Sequence, residues 1–344
     1  DVFVQNGLKF TALKPHTVSP LSDRFRANVD YFDRVCRVVN GFKGLRVGAI
    51  GARTTAFKTV RIDEIALQRH DITMETLDLS DVFARMNALK PEGDAYKAKA
   101  AALKAYTSWN GVPEQAFDRI VRLGVVLDDI IEEFDLDAIA VRCWVEMQRL
   151  LGISPCVLLS EINNRNIPAA CEVDIGNAIT MFALNQASDG PVACLDWNNN
   201  YGDDDDKCIL FHCGPVPKSM MTDAGRISDH LILANAVGPG CGFGCDVGRI
   251  APSDLTFGSM VTDSGKLRFY LGQGKFTSDP IPANFFGCAG VAQIDGLQDV
   301  MLHVGRYGHR HHVSVTTGHV MAPVYEALKH YLGFEVAVPQ EGCG

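Results

Sequence analysis

The chain has 344 residues, is 47% hydrophobic and carries a formal net charge of −9. That balance excludes an extended nucleic-acid footprint, which needs clustered Lys and Arg, and no apolar run approaches the roughly 18–20 residues of a membrane span. The eleven cysteines are an odd number and several lie inside apolar runs such as SPCVLLS and GPVACLDW, so buried free thiols in a reducing cytoplasm are expected rather than a disulfide framework.

The first forty residues, with Pro15 and Pro20, are expected to be irregular, and the opening DVFVQNG shows no signal-peptide pattern. From Gly44 the pattern alternates. LRVGAIGA reads as a buried strand, FKTVRIDEIALQRH as apolar residues at helical spacing, and ITMETLDL as a second strand. GDAYKAKAAALKAY and PEQAFDRIVRLGVVLDDIIEEF are strongly helical, the second opened by Pro113. DAIAVRCW is a strand, SPCVLLSEINNR a helix, IPAACE a strand ending at Glu172, and VDIGNAITMFALNQA the helix after it. Strands alternating with helices imply a largely parallel sheet, so residues 1–187 are expected to form a Rossmann-like α/β domain carrying Glu172. After Ser188 the texture changes. PVACLDWNNNY and KCILFHCG read as strands joined by the acidic loop GDDDD, and short strand-like pieces such as LRFYLGQGKF and VMLHVGRY follow among many glycines. Residues 188–344 are therefore expected to form a β-rich, barrel-like domain, closing with a helix over MAPVYEALKHYLGF and a terminal strand EVAVP.

Several motifs have plain structural explanations. GAIGAR lacks the full dinucleotide-binding spacing and reads as a tight strand–helix turn. GPGCGFGCDVG has no Gly-Lys-Ser/Thr ending, and Cys241 and Cys245 find no second cysteine pair to complete a zinc site, so a glycine-rich turn is expected there. The stretch GRYGHRHHVSVTTGHV holds His309, His311, His312 and His319. If extended, His309 and His311 share one face and His312 takes the other. A solvated surface cluster would explain such histidines taken alone. Upstream, however, Glu172 ends one strand and Asp196 in CLDWNN lies near the end of the next, and strand ends in an α/β sheet converge on one crevice. Two carboxylates and an imidazole with open positions suit Mn²⁺ or a similar divalent cation better than a closed zinc site.

CEVDIGNAITM, LDWNNNYGDDDDKCILFHCG, HHVSVTTGHVMAPVYEAL and, most specifically, PCVLLSEINNRNIPAACEVD together resemble the L-fucose isomerase / L-arabinose isomerase family, over its middle and C-terminal domains. The family's N-terminal α/β domain has no counterpart in this reading. The resemblance implies a metal held by Glu172, Asp196 and a histidine. His312 is the first choice, because it precedes Gly318 and His319 by the family's short interval, and His212 and His319 are second candidates. It also implies aldose–ketose isomerisation of an open-chain sugar through an enediol(ate), with Glu172 and Asp196 as ligands and proton carriers, and a homo-oligomeric assembly. Trp197 and Asn198 are candidate sugar contacts, a core tryptophan and a turn being their plain alternatives. A non-catalytic sugar-binding or regulatory relative, or a metal-assisted aldolase or epimerase, fits the same residues.

Overall fold

The computed structural model of the chain describes residues 1–341. Four strands, β1 (Leu45–Ile50), β2 (Ile72–Leu77), β3 (Ala138–Val141) and β4 (Ala169–Cys171), form a parallel sheet in the order β2-β1-β3-β4. β2, β3 and β4 each follow a helix-containing crossover, the connection that parallel pairing demands. β3 is buried at all four positions, as befits a strand covered on both faces.

The second unit is built from β5 (Val192–Tyr201), β6 (Asp204–His212), β7 (Arg226–Ser228), β8 (Cys245–Arg249), β9 (Ser253–Asp263), β10 (Lys266–Phe276), β11 (Cys288–Gln293), β12 (His312–Thr317) and β13 (Glu335–Ala337). Six of them close a ring in which every pairing is antiparallel: β10-β9-β12-β5-β6-β11 and back to β10. Closure removes the exposed edges that an open sheet would leave. Leu195, Leu210, Phe257, Tyr270, Val313 and Val315 are among the buried residues of its core.

The helix Ile175–Ser188 joins the two units. Twelve of its residues are buried, because one side packs on the parallel sheet and the other on the barrel. Ile179, Met181 and Leu184, each fully buried, contribute roughly 1.5–3 kcal/mol apiece by leaving water. Among the described residues no helix is long and apolar enough to cross a membrane.

Three stretches differ from the sequence expectation. The irregular start contains a helix, Asp23–Gly41, capped by Ser22 Oγ accepting from Phe25 N at 3.1 Å; it buries Val35 and Val38, and Phe42 beyond it meets the Phe182 ring edge-on at 6.0 Å. FKTVRIDEIALQRH is mostly loop: a 3₁₀ turn at Lys58–Val60, then a short helix Glu64–Gln68 that starts only where Asp63 can cap it. VMLHVGRY lies in a helix, Leu297–Arg306, whose Leu297, Val300 and Val304 line up at helical spacing against the barrel. In the acidic hairpin only Gly202 and Asp203 make the turn, since Asp204 already pairs with Tyr201.

Candidate metal centre and active site

Beyond β4 the backbone enters the left-handed region at two successive non-glycine residues, Glu172 (φ 56°) and Val173 (φ 57°). Such positions cost of the order of 1–3 kcal/mol each and persist where the surroundings enforce them, often at functional sites. The turn ends at Asp174, which caps the helix Ile175–Ser188 by accepting from Asn177 N at 3.0 Å.

Strand register supplies the other side of the site. His312, the first residue of β12, pairs directly with Asp196 on β5. Asp196 pairs in turn with Phe211 on β6, one residue before His212. Paired residues point to the same face, so His312 and Asp196 leave the barrel together while Leu195 and Val313 turn into it. The face they reach is covered by the helix Ile175–Ser188, where Ser314 Oγ donates to Asn177 Oδ1 at 2.8 Å.

Glu172 meets them at the junction. Its Oε2 lies 3.1 Å from His312 Nε2 and 3.5 Å from His212 Nε2, and Asp196 Oδ1 is 3.4 Å from His312 Nε2. Trp144 Nε1 donates to Glu172 Oε1 at 3.1 Å. His312 Nδ1 lies 2.8 Å from Asp174 Oδ2, and since that carboxylate can only accept, Nδ1 carries the hydrogen. The lone pair of a neutral His312 therefore sits on Nε2, facing two carboxylate oxygens. A lone pair facing two carboxylate oxygens is repelled unless a proton or a cation stands between them. Glu172 Oε2 and His212 Nε2 are indeed buried without a hydrogen-bond partner. Glu172, His212 and His312, and separately Asp196, His311 and His312, each bring ligand atoms close enough together to hold a divalent ion. His212 differs from His312: its Nδ1 accepts from Cys213 N at 2.9 Å, which leaves the hydrogen on Nε2, aimed towards Glu172. In that tautomer His212 is a donor beside the site, and His312 is the one of the two that offers a lone pair.

Burial opposes charging of His212 and His312, yet their neighbours, Cys213 and Glu172 for the first and Cys194, Asp174 and Glu172 for the second, hold both above the usual imidazole range. Burial pushes the Glu172 carboxyl up, but His212 and His312 override it and hold the group well below the usual carboxylate range. Burial likewise opposes ionisation of Asp174, and Arg310 and His312 bring it down to about 2. Glu172 is therefore anionic at neutral pH, the state a metal ligand needs.

The remaining candidates lie elsewhere. His319 is about seven strand-like steps from His312, on the order of 20 Å along the chain, and its Nε2 lies 3.0 Å from Gly274 O. It is not part of this cluster. Trp197 faces the opposite way from Asp196: its Nε1 donates to Tyr270 OH at 3.0 Å and its ring meets Phe257 edge-on at 5.4 Å, so it packs with the barrel core instead of facing a sugar. Asn198 is exposed at a bulge in the β5–β6 pairing, two residues beyond Asp196. The segment before β12 is not extended, so His309 and His311 do not share a strand face. His309 is buried against Tyr270, at 4.8 Å between rings, whereas His311 stands 3.5 Å from Asp196 Oδ1. Cys241 and Cys245 form no four-ligand metal site among the described residues. Two groups carried no sequence signal, Trp144 and Phe57, whose ring packs against Trp144, His311 and His312. Beside them, at the C-terminal edge of β1 and β2, opens a cleft of about 340 Å³ that reaches Val173 and Ile175.

Residues 210–339 match the family model described as the L-fucose isomerase, C-terminal domain. The C-terminal part of this chain is thus similar to that domain. His212 and His312 fall within it, while Glu172 and Asp196 precede it. Among curated proteins the chain is similar to the sulfoquinovose isomerase of Alkalicoccus urumqiensis, 28% identical over 56% of this chain and 43% of that protein. It is also similar to the sulfoquinovose isomerase of Clostridium sp. (strain MSTE9), 25% identical over 84% of this chain and 64% of that one. The sulfoquinovose isomerase of Priestia aryabhattai is 24% identical over 63% of this chain and 48% of its own length. The chain thus spans about half the length of the first of these relatives.

Proposed function

We propose that this protein is a metal-dependent aldose–ketose isomerase acting on an open-chain sugar, with Glu172, Asp196 and His312 holding Mn²⁺ or a similar divalent cation. The observation that supports the reading is that Glu172 Oε2 lies 3.1 Å and Asp196 Oδ1 3.4 Å from His312 Nε2, with Glu172 Oε2 buried and without a hydrogen-bond partner. The cation would supply Lewis-acid stabilisation of negative charge on the sugar oxygens O1 and O2.

The chain's own residues do the rest. Glu172 and Asp196 are the carboxylates placed to move a proton between C1 and C2, a role worth roughly 10²–10⁴-fold each. Trp144 occupies Glu172 Oε1, which leaves Oε2 for the site. Phe57, packed on Trp144 and His312, would exclude water from one side, and the exposed Asn198 would be free to meet a sugar hydroxyl. In this organisation residues 1–187 contribute Glu172 and residues 188–344 contribute Asp196, His212 and His312. Homo-oligomerisation and a cytoplasmic setting, the latter in keeping with ten free thiols among the described residues, belong to the same proposal.

The test measures Mn²⁺ binding by calorimetry alongside aldose-to-ketose conversion, with sulfoquinovose, the sugar the similar proteins are named for, as the first substrate tried. About one Mn²⁺ per chain is expected. Glu172→Gln should weaken it more than about 100-fold, beyond the 10–100-fold typical of losing an outer hydrogen bond, and should abolish conversion. A Glu172→Gln protein that binds and turns over like wild type would refute the assignment.

A further inference from the structure

A fully buried arginine is rare unless it is paired, because its charge is costly to remove from water. The Arg310 and Asp174 side chains are both 0% exposed, with Arg310 Nε 3.3 Å from Asp174 Oδ1. Arg310 Nη2 donates to Arg61 O at 3.2 Å and Nη1 to Met260 O, so the guanidinium is tied to the backbone of both units. Space for it exists only because residue 176 is glycine: a Cβ there would stand 2.0 Å from Arg310 Nη1 and 2.5 Å from Met260 O. Enclosed in this way, Arg310 is unavailable to a substrate phosphate.

Asp174 is surrounded by donors alone. Oδ1 accepts from Asn177 N at 3.0 Å, and Oδ2 accepts from Asn177 Nδ2 at 2.7 Å and faces His312 Nδ1 at 2.8 Å. We propose that Arg310 and Asp174, seated over Gly176, are positioning residues that keep the hydrogen of His312 on Nδ1 and so present Nε2 to Glu172 and Asp196. The proposal rests on the reading of His312 as a metal ligand, yet it can be tested on the metal-free protein. It also explains why a buried ion pair, which seldom adds net stability, occurs at this place.

Asp174→Asn tests the idea with almost no change in volume. In either orientation the amide NH₂ meets donors: His312 Nδ1–H and Asn177 Nδ2 on one side, Asn177 N–H and the Arg310 guanidinium on the other. The least costly relief is for His312 to surrender its Nδ1 hydrogen and carry it on Nε2. Nitrogen-15 histidine spectra of the metal-free protein at mildly alkaline pH, with His312 assigned by its loss in His312→Gln, are expected to show Nδ1–H in wild type. In Asp174→Asn that hydrogen should move to Nε2, and Mn²⁺ binding should weaken roughly 10–100-fold while near-ultraviolet circular dichroism is retained. Arg310→Lys, which keeps the charge but not the planar fork, should weaken Mn²⁺ binding by a smaller factor. Wild-type His312 lacking a hydrogen at Nδ1 would overturn the proposal, whether or not any variant folds. Asp174→Asn with an unchanged His312 spectrum and Mn²⁺ affinity would overturn it as well. Wild-type protein with Nδ1–H in place but no Mn²⁺ binding would refute the metal reading and leave the positioning of His312 standing.

Discussion

Asp246 on β8 permits a quantitative test of how deeply the barrel side of the chain excludes water. It is 0% exposed; Thr107 Oγ1 donates to its Oδ1 at 2.7 Å, and its Oδ2 has no partner. Burial pushes its carboxyl up from 3.8 to about 7, the bond from Thr107 opposing that only in part. The folded state therefore holds a proton that the unfolded chain releases at lower pH. Stability from this group is complete below about pH 4, is lost as pH rises towards about 7, and changes no further above that. A shift of about 3 units corresponds to roughly 4 kcal/mol in total, of which about 3 kcal/mol is lost between about pH 5 and about pH 8. Asp246→Asn cannot ionise, and the cost of its buried amide is the same at every pH. Urea unfolding of both proteins at the two pH values should show the variant gaining about 3 kcal/mol on wild type at the higher pH. A gap between the two proteins that stays constant within about 0.5 kcal/mol would show that Asp246 titrates normally, and would refute the burial argument.

Two further predictions follow from local geometry. His319→Ala should leave Mn²⁺ affinity within about twofold of wild type by calorimetry, because it lies beyond the far end of β12 with Gly274 O on β10 as its nearest partner; a larger loss would place His319 back among the ligands. Gly244→Ala should lower the urea midpoint by the equivalent of about 3 kcal/mol or more. Residue 244 has φ +135°, and a Cβ there would stand 2.0 Å from Ser154 O, backbone that Ser154 N→Phe243 O holds in place at 2.8 Å. A midpoint unchanged from wild type would show that this close approach is not maintained in solution.

Arg310 illustrates how a residue's role can be invisible along the chain. In GRYGHRHHVSVTTGHV it reads as one more charge in a polar stretch. Folded, it is sealed beneath the helix Ile175–Ser188, and the glycine that makes room for it lies 134 positions earlier (310 − 176). The same separation hides Trp144 from Glu172 and Phe57 from His312.

The sequence by itself determined the alternation of β1 to β4 with helices, the barrel strands β5, β6 and β10, and the place of Glu172 at the end of a strand. Those features follow from side-chain period and capping chemistry, which act over a few residues. It did not show the helix Asp23–Gly41, where Pro15 and Pro20 suggested irregularity and an apolar stripe faces an element far along the chain. It also misread Leu297–Arg306, because a short apolar run fits either period. Tertiary structure alone decided that β12 lies beside β5 with His312 opposite Asp196, that Trp197 turns into the barrel and that His319 is carried away. It also decided that His312 offers Nε2 while His212 offers a hydrogen. Register and tautomer are set by the partner across the sheet, and nothing local to either strand specifies which partner that is.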